Sequence, residues 1–350
     1  MGAAVRHGTP YGSRPKVGRM AETLSTPSLV VPRTGDSSVL TVQDREVAPP
    51  GPGQVRVQVA AMGVNFREVY ERQGVYPMSL PFVLGAEGAG TVESVGEGVT
   101  DVAVGDRVAW CQGPGSGAGY VVLPATVVVP VPDGLDLEVA AAAMLQGVTA
   151  HYLVASTYPV QAGETVLAHA VAGGVGQLLV QLVKARGARL VGTAGSPEKA
   201  ERARALGADH VIEYAGLDTD ELAAAVKEAN GGEGVHVVYD GVGRTTFDAS
   251  LKSLRPRGML VLFGAASGQV PPFEIQRLNS GGSLFLTRPT MGDYLQTRDE
   301  LTWRVGEILG GLASGELTLE IGGRYPLPDA ARAYDDLEGR RTTGKLLLVL

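Results

Sequence analysis

A glycine-rich segment at residues 170–176 separates two patterns that predict different secondary structures. Thr165–His169 is a short apolar run typical of a buried strand, and Gln177–Arg186 has the pattern of a helix. Glycines between them permit a tight turn, close approach of the backbone to a ligand, and close packing of the helix. The start of the helix also presents unpaired N–H groups and the positive end of its dipole. We therefore predict a dinucleotide-binding loop. Its pyrophosphate contacts are expected from Gly173, Gly174, Val175 and Gly176.

Strands and helices continue to alternate beyond this loop. The predicted strands are Arg189–Thr193, His210–Ile212, Val235–Tyr239 and Met259–Phe263, and the helices between them are Lys199–Leu206 and Leu222–Asn230. Such alternation implies right-handed crossovers and a parallel sheet. A glycine triplet alone is weak evidence. This triplet follows a predicted strand, precedes a predicted helix and is followed by further βα units. Together these features indicate a Rossmann-type domain.

The residues on both sides of this block predict a different architecture. From residue 28 to about 130, short Val-rich runs such as Val55–Val59 alternate between Gly, Pro and Asp turns, which predicts a small β-barrel-like domain. An Ala-rich helix is predicted at Leu135–Val154, and the final strand, Lys345–Leu350, is expected to return to the barrel. The expected division is a disordered tail at 1–19, a catalytic domain at 20–147 and 289–350, and an inserted nucleotide-binding domain at 148–288.

The end of the second Rossmann strand indicates which dinucleotide binds. NAD sites place Asp or Glu there, about 20 residues past the loop, to hold the ribose 2′-hydroxyl. Here the strand leads into Gly195, Ser196 and Lys199 with no acid at its end. A hydroxyl donor and an ammonium suit a 2′-phosphate, so the sequence predicts NADPH. Glu198 would weaken that preference if its carboxylate pointed into the site.

Charge and composition argue against several other classes of protein. The formal net charge is −7 and aromatic residues make up 5%, which argues against a nucleic-acid surface. No run of about 18 apolar residues occurs, so neither a transmembrane helix nor a membrane partner is expected. Cys111 is the single cysteine, which rules out an internal disulfide and favours a reducing, cytoplasmic location.

Short segments in a distinctive order run along the chain on both sides of the glycine loop. They are Gly63-Val64-Asn65-Phe66-Arg67-Glu68-Val69-Tyr70, Gly74-Val75-Tyr76-Pro77, Leu84-Gly85-Ala86-Glu87-Gly88-Ala89-Gly90, Gly96-Glu97-Gly98-Val99, Val104-Gly105-Asp106-Arg107-Val108, Gln146-Gly147-Val148-Thr149-Ala150, Val238-Tyr239-Asp240-Gly241-Val242-Gly243, Phe263-Gly264, Thr287-Arg288-Pro289 and Gly344-Lys345. With the loop, they resemble the zinc-independent quinone oxidoreductases, the zeta-crystallin-like group of the medium-chain dehydrogenase/reductase superfamily.

The resemblance implies an α/β fold in which a Rossmann parallel-sheet domain is inserted into a GroES-like β-barrel domain, with the cofactor in the cleft between them. It also implies a homodimer, or in some members a tetramer, joined through the Rossmann sheets. Asn65, Phe66 and Tyr70 would lie beside the nicotinamide, with Tyr76 on the substrate side. Tyr152 would join Gly174 and Val175 at the ribose and pyrophosphate. Tyr214 would join Ser196 and Lys199 around the 2′-phosphate. The rest of the cofactor wall would be Gly241, Phe263, Gly264, Pro289, Thr290, Met291 and Arg340.

The zinc-dependent relatives need Cys, His and carboxylate ligands that converge on one open site. Where those relatives carry a Gly-His-Glu signature this chain has Gly85-Ala86-Glu87, and their early cysteine position falls in Val64-Asn65-Phe66. The five histidines show no ligand spacing, and His169 and His236 are expected to be packed or hydrogen-bonded in the core. No metal site is therefore predicted.

A chain without metal ligands has no Lewis acid to polarise a simple carbonyl, which disfavours alcohol–ketone exchange. A quinone or similar conjugated carbonyl is the expected acceptor because its anion is delocalised. We hypothesise that Asn65, Tyr70 and Tyr76 bind this acceptor and stabilise its developing oxyanion with neutral donors. Two alternatives stay open: an NADPH-dependent reductase of enone or enoyl-thioester double bonds, and a non-catalytic NADPH-binding protein.

Overall fold

We describe the protein from a computed structural model whose described residues are 22–350, so the tail expected at 1–19 lies outside them. The strands are β1 Leu24–Val31, β2 Thr41–Val47, β3 Gln54–Val64, β4 Phe82–Val83, β5 Gly88–Val95, β6 Arg107–Trp110, β7 Tyr120–Pro124, β8 Val129–Pro130, β9 Thr165–Ala168, β10 Arg189–Ala194, β11 His210–Glu213, β12 Val235–Asp240, β13 Leu254–Leu262, β14 Phe285–Thr287, β15 Ile321–Pro326 and β16 Lys345–Val349. The α-helices are α1 Phe66–Arg72, α2 Leu137–Tyr152, α3 Gly174–Ala185, α4 Pro197–Ala205, α5 Thr219–Ala229, α6 Phe247–Ser253, α7 Gln276–Ser280, α8 Arg298–Ser314 and α9 Ala330–Glu338.

Six parallel strands form the nucleotide-binding sheet predicted from the βα alternation. Their order is β11-β10-β9-β12-β13-β14, so the chain leaves β9 toward one edge and later returns to its other side at β12. Loops that follow strands on the two sides of such a reversal diverge and leave a crevice at the carboxyl ends of the strands. The topology therefore places a binding crevice between the loops after β9 and β12.

A second, mainly antiparallel sheet forms the barrel domain. Its order is β15-β16-β3-β5-β6-β8, with β7 also paired to β3, and a separate small sheet has the order β2-β1-β4. Strand β16 runs antiparallel to β3, with Leu348 opposite Met62. The final strand thus returns to the first domain across the whole inserted block, and the expected fold class is confirmed.

Helix α2 packs against both domains. It contacts β3, β5 and β6 of the barrel as well as α3 and α8. With the π-helical turn that follows, residues Leu137–Thr157 are long and apolar enough to cross a membrane by length and composition, but 72% of an 18-residue apolar window within them is buried inside the protein. The many alanines let neighbouring elements approach closely, which is what a core helix shared by two domains requires.

Helix α1 was not anticipated from the sequence. It has seven residues, too few to be stable alone in water, and it interrupts a block that otherwise predicts strands. Its start is held by the backbone N–H of Asn65, which donates to Glu68 at 2.6 Å. Helix α3 begins at Gly174, three residues before the predicted start at Gln177. The glycines of the loop also form the first turn of the helix, and because glycine disfavours helices the sequence pattern did not indicate that turn.

Candidate active site

A cavity of about 690 Å³ occupies the crevice predicted by the strand order. It runs between the Rossmann loops and the barrel residues around β3, α1 and β16. The predicted site residues that line it are Asn65, Phe66, Gly173, Gly174, Val175, Gly176, Gly195, Ser196, Lys199, Tyr214, Gly241, Phe263 and Arg340. One cavity therefore brings together residues that were predicted from separate segments of the chain.

The glycine loop forms the centre of this cavity and leaves no room for side chains. A Cβ at Gly176 would lie 2.6 Å from the Cα of Val171, so only glycine lets α3 pack this close to the loop. Gly173 caps α3 without any side-chain hydrogen bond, and the first N–H groups of a helix have no partner within it. These free donors, together with the helix dipole, fit the pyrophosphate of a dinucleotide.

One end of the cavity lies at the start of α4. The Ser196 hydroxyl caps this helix, accepting from the backbone N–H of Lys199 at 3.4 Å. The Lys199 ammonium donates to the backbone oxygen of Arg340 at 2.8 Å, which connects α4 to the loop after α9. Burial lowers the pKa of Lys199, and the neighbouring Arg340 lowers it further. A hydroxyl and two cations thus converge where the sequence predicts a 2′-phosphate.

Glu198 lies next to this cation cluster and has a cationic partner of its own. Its carboxylate pairs with Arg202 at 3.2 Å, one helical turn away, and its side chain is 74% exposed. Arg202 also pairs with Glu320. Glu198 also lines the cavity, but its charge is partly neutralised by Arg202.

The opposite end of the cavity rests on a buried polar network. The Lys345 ammonium donates to Glu87 Oε1 and to Asn65 Oδ1, both at 2.6 Å, and all three side chains are buried. Asn65 Nδ2 donates to the same Glu87 oxygen at 2.7 Å. Gly63 makes this possible, because a Cβ there would overlap the Glu87 carboxylate and lie 2.8 Å from Lys345 Cε.

Glu68 adds a second carboxyl group beside this network. Burial raises its pKa to about 8, against the opposing effect of Lys345. The raised pKa favours the neutral form of Glu68, and the ammonium of Lys345 is hydrogen-bonded to Glu87. Neutralising one of two buried carboxyl groups avoids the cost of an unpaired buried charge.

Asn65 lies in the cavity wall, but its amide is not free to serve as the substrate donor that was expected. One N–H is directed at Glu87, and Nδ2 also lies 3.3 Å from the backbone oxygen of Gly63. An amide nitrogen has two hydrogens, and both have protein acceptors here. The donor hypothesis for Asn65 is corrected accordingly.

Tyr70 and Tyr76 lie together beside the cavity, in a T-shaped contact with ring centroids 5.3 Å apart. The backbone N–H of Ala265 donates to the Tyr70 hydroxyl oxygen at 3.1 Å, so a barrel residue is anchored to the loop after β13. This bond uses a lone pair and leaves the O–H hydrogen available to donate. Burial raises the pKa of Tyr70, which keeps the hydroxyl protonated at neutral pH.

Tyr152, Gly264, Pro289, Thr290 and Met291 are not among the residues that line the cavity. The Tyr152 ring stacks on Tyr294 with centroids 4.4 Å apart, and the guanidinium of Arg304 donates to the Tyr294 backbone oxygen at 2.9 Å. This contact ties α2 to the segment that contains Pro289, Thr290 and Met291. A Cβ at Gly264 would lie 2.5 Å from the backbone oxygen of Gly241, so this glycine permits two loops to pack together.

Several residues that line the cavity were not predicted as site residues, among them Gln146, His169, Arg341 and Thr342. Gln146 stands in one of the segments quoted for the family resemblance, which was the available signal for it. His169 is a core residue, as expected: its two ring nitrogens lie 2.9 Å from the hydroxyls of Thr193 and Ser250.

Potential metal ligands are dispersed in the structure. Among residues 22–350, no group of three or more His, Cys, Asp or Glu side chains is arranged to hold a metal ion. Cys111 is buried, and burial raises the pKa of its thiol to about 12. His236 accepts from the backbone N–H of Thr165 at 3.1 Å, as expected for a hydrogen-bonded core histidine.

Comparison with known proteins gives two family models that match the chain. The alcohol dehydrogenase GroES-like domain matches residues 51–133, and the model described as zinc-binding dehydrogenase matches residues 174–301. These two matches fall on the barrel and on the Rossmann domain.

Individual relatives match nearly the whole chain. A quinone oxidoreductase of Pseudomonas aeruginosa is 46% identical over 317 residues, which cover 90% of this chain and 97% of the relative. A 2-haloacrylate reductase of Burkholderia sp. is 40% identical over 328 residues, which cover 91% and 98%. A solved structure of a mycobacterial protein complexed with NADPH is 48% identical, has a TM-score of 0.90, and covers 93% of this chain and 100% of its own.

Proposed function

This chain belongs to the zinc-independent quinone oxidoreductases of the medium-chain dehydrogenase/reductase superfamily, and from that premise we propose that it is an NADPH-dependent quinone reductase. NADPH would occupy the cavity between the two domains, and a quinone or similar conjugated carbonyl would receive its hydride. The observation that carries the proposal is a glycine-lined helix start without a side-chain cap, together with Ser196 and Lys199 at one end of the same cavity.

Different residues would bind different parts of the cofactor and of the acceptor. The first turn of α3 would bind the pyrophosphate, and Ser196, Lys199 and Arg340 would bind the 2′-phosphate. Bound NADPH supplies the hydride. Tyr70 would donate its O–H hydrogen to the acceptor oxygen as negative charge develops there, because its own oxygen is fixed by Ala265.

Tyr70→Phe is expected to lower kcat with a quinone about tenfold, since one hydrogen bond to the acceptor is lost. The affinity for NADPH should change little. Steady-state kinetics with several quinone concentrations and a direct NADPH titration would measure both values. Tyr120→Phe is the matched control, since Tyr120 lies on β7 in the barrel sheet, outside the residues that line the cavity. Unchanged kcat in Tyr70→Phe would remove Tyr70 from the donor role.

The proposed activity is tested by anaerobic oxidation of NADPH, with NADH in parallel. The acceptors are 1,4-benzoquinone, 9,10-phenanthrenequinone, 2-hexenal and 2-chloroacrylate. Turnover with the quinones and a strong preference for NADPH would support the proposal. No turnover with any acceptor, together with tight NADPH binding, would contradict it and favour the non-catalytic reading.

A second candidate is a reductase of activated carbon–carbon double bonds. It is favoured by the 2-haloacrylate reductase that is 40% identical to this chain. That reaction needs a proton at carbon as well as a hydride, so it depends more on a positioned acid such as Tyr70. Turnover with 2-chloroacrylate or 2-hexenal but not with the quinones would replace the first proposal by this one.

We further propose a homodimer that pairs two copies through β14, the edge strand of the Rossmann sheet. Its sequence Phe285-Leu286-Thr287 is apolar, and Phe285 is 56% exposed. The opposite edge, β11, carries His210 and Glu213, which discourage pairing. Two β14 strands related by a twofold axis would extend both sheets and cover Phe285.

Phe285→Lys is expected to convert this dimer to a monomer, because the lysines of two copies would meet at one edge. Light scattering coupled to size-exclusion chromatography would measure the mass. Ile275→Lys, at a residue that is 77% exposed outside the strand, is the matched control. A wild-type monomer, or a Phe285→Lys dimer of unchanged stability, would contradict the proposed interface.

The domain division at 20–147, 148–288 and 289–350 is part of this proposal, as is a cytoplasmic location. The parallel sheet lies within 165–287, and β15 and β16 belong to the barrel sheet, which supports an insertion near those limits. A single buried thiol at Cys111 suits a reducing compartment.

A further inference from the structure

A second cavity, of about 350 Å³, lies between helix α1 and the loops after β12 and β13. We call it the side cavity. It shares Phe66 and Ala266 with the wall of the cavity proposed for NADPH, so the two cavities are adjacent. At about half the volume of its neighbour, the side cavity has room for part of a small molecule.

Tyr70 connects the side cavity with the proposed reaction. This tyrosine, the proposed donor to the acceptor oxygen, lines the side cavity and is not among the residues that line the cavity for NADPH. Ala265, whose backbone N–H holds the Tyr70 oxygen at 3.1 Å, belongs to the same wall. An acceptor that receives hydride from the nicotinamide and reaches the Tyr70 hydroxyl must therefore extend toward the side cavity.

The lining of the side cavity combines an apolar wall with a few polar groups, which is the usual composition of a small-molecule site. The apolar and aromatic residues are Phe66, Val69, Tyr70, Val75, Ala265 and Ala266. The polar residues are Gln73, Arg244, Gln269 and Glu338. The polar residues decide which substituent fits.

The one carboxylate in this lining already has partners. Glu338 accepts from the guanidinium of Arg72 at 2.6 Å, and Gln73 Nε2 also lies 3.4 Å from it. Because Arg72 is fully buried, this ion pair is shielded from solvent on one side. Glu338 is therefore neutralised within the protein and does not attract a cationic ligand.

Arg244 is the charged residue of this lining that has no ion-pair partner among residues 22–350. Its Nε donates to the backbone oxygen of Gln269 at 3.3 Å. A Cβ at Gly268 would lie 2.7 Å from Nη2, so the guanidinium rests against the loop after β13. Arginine has four further N–H donors on its two terminal nitrogens, and these remain for a ligand.

We propose that the side cavity binds an anionic substituent of the acceptor and that Arg244 pairs with it. The proposal rests on the proposed reductase activity and narrows its substrate class to conjugated carbonyl compounds that carry a carboxylate or a similar oxyanion. A guanidinium binds such a group through two parallel hydrogen bonds. A neutral substituent would leave Arg244 unpaired, and a cationic one would be repelled by it.

The experiment compares two quinones that differ in one anionic group, 1,2-naphthoquinone and 1,2-naphthoquinone-4-sulfonate. Their kcat/KM values are measured at saturating NADPH, and the ratio of sulfonate to neutral quinone is compared between the wild type and Arg244→Gln. Comparing ratios cancels the different intrinsic reactivities of the two quinones. Arg45→Gln, on the exposed strand β2, removes the same charge outside both cavities and is the matched control.

In Arg244→Gln this ratio should fall about fivefold, the effect of one partly exposed ion pair. The fall should become smaller at high salt, because salt screens the attraction between exposed charges. Arg244→Lys keeps the charge and should keep most of the preference for the sulfonate. Arg45→Gln should have the wild-type ratio.

A binding measurement tests the same residue without turnover. In calorimetric titrations with NADP⁺ present, the Kd of 2-naphthalenesulfonate should rise about fivefold in Arg244→Gln, and the Kd of neutral 2-naphthol should stay constant. A wild type that reduces no quinone would contradict the proposed function, whereas these titrations would still decide the role of Arg244.

Three results would overturn the inference. The first is a wild-type ratio and a wild-type sulfonate affinity in Arg244→Gln. The second is an equal fall in Arg45→Gln, which would assign the effect to the overall charge of the protein. The third is an equal loss in Arg244→Gln and Arg244→Lys, which would assign it to altered packing of the loop after β13.

Discussion

Replacing Ser196 by glycine and Lys199 by alanine together is expected to weaken NADPH binding about a hundredfold or more while NADH binding stays nearly constant. Each side chain offers a hydrogen bond to the charged 2′-phosphate, worth roughly 1.5–3 kcal/mol, and about 1.4 kcal/mol corresponds to tenfold. NADH has a hydroxyl in place of that phosphate and loses little. Glycine is chosen at Ser196 because it caps a helix almost as well as serine.

Fluorescence titration with NADPH and NADH would measure the two dissociation constants. Lys252→Ala is the matched control, because Lys252 pairs with Asp220 on the Rossmann surface far from this end of the cavity. Equal weakening of both cofactors would mean that the double variant damages the fold. An unchanged preference for NADPH would show that Arg340 alone is sufficient to bind the 2′-phosphate.

Gly63→Ala is expected to lower the free energy of unfolding by about 3–5 kcal/mol, the usual cost of breaking a buried ion pair. The added Cβ would overlap the Glu87 carboxylate and press on Lys345, and these two side chains form an ion pair of 2.6 Å that is fully buried. Urea unfolding followed by tryptophan emission would measure the change, because Trp110 is fully buried in the barrel and becomes exposed on unfolding.

Gly306→Ala is the matched control for that variant. Gly306 lies within α8, and a Cβ there would meet nothing within 4 Å. Alanine at this position should leave the stability unchanged or raise it by up to about 1 kcal/mol, because alanine favours the helix. A Gly63→Ala protein as stable as the wild type would mean that the network adjusts without cost.

The parts of this structure that follow from local patterns could be predicted from the sequence. The glycine loop and the Ser196–Lys199 pair each occupy a few consecutive residues, and each strand and helix of the βα alternation is a short pattern in itself, so local spacing carries the information. The return of the last strand to the barrel was also predicted, because an isolated apolar run at the end of the chain needs a sheet to pair with.

The state of Asn65 could not be predicted in this way. Its partners Glu87 and Lys345 are 22 and 280 residues away in sequence, and no local pattern indicates that they meet. For the same reason Asn65 was expected to be a free donor. The stacking of the Tyr152 ring on Tyr294 could not be predicted either, because Tyr294 belongs to a distant segment.

The pairing of β16 with β3 also affects the order in which the protein is made. Val64 and Lys345 are 281 residues apart, and the Rossmann domain lies entirely between them. During translation, every strand of the parallel sheet is therefore synthesised before Lys345, the cation that pairs with Glu87. Contacts between distant parts of a chain form slowly. The strands of the Rossmann domain can therefore pair before synthesis is complete. The edge of β3 that pairs with β16 stays unpaired until the last residues are made, so we expect the barrel domain to be the part most exposed to aggregation during synthesis.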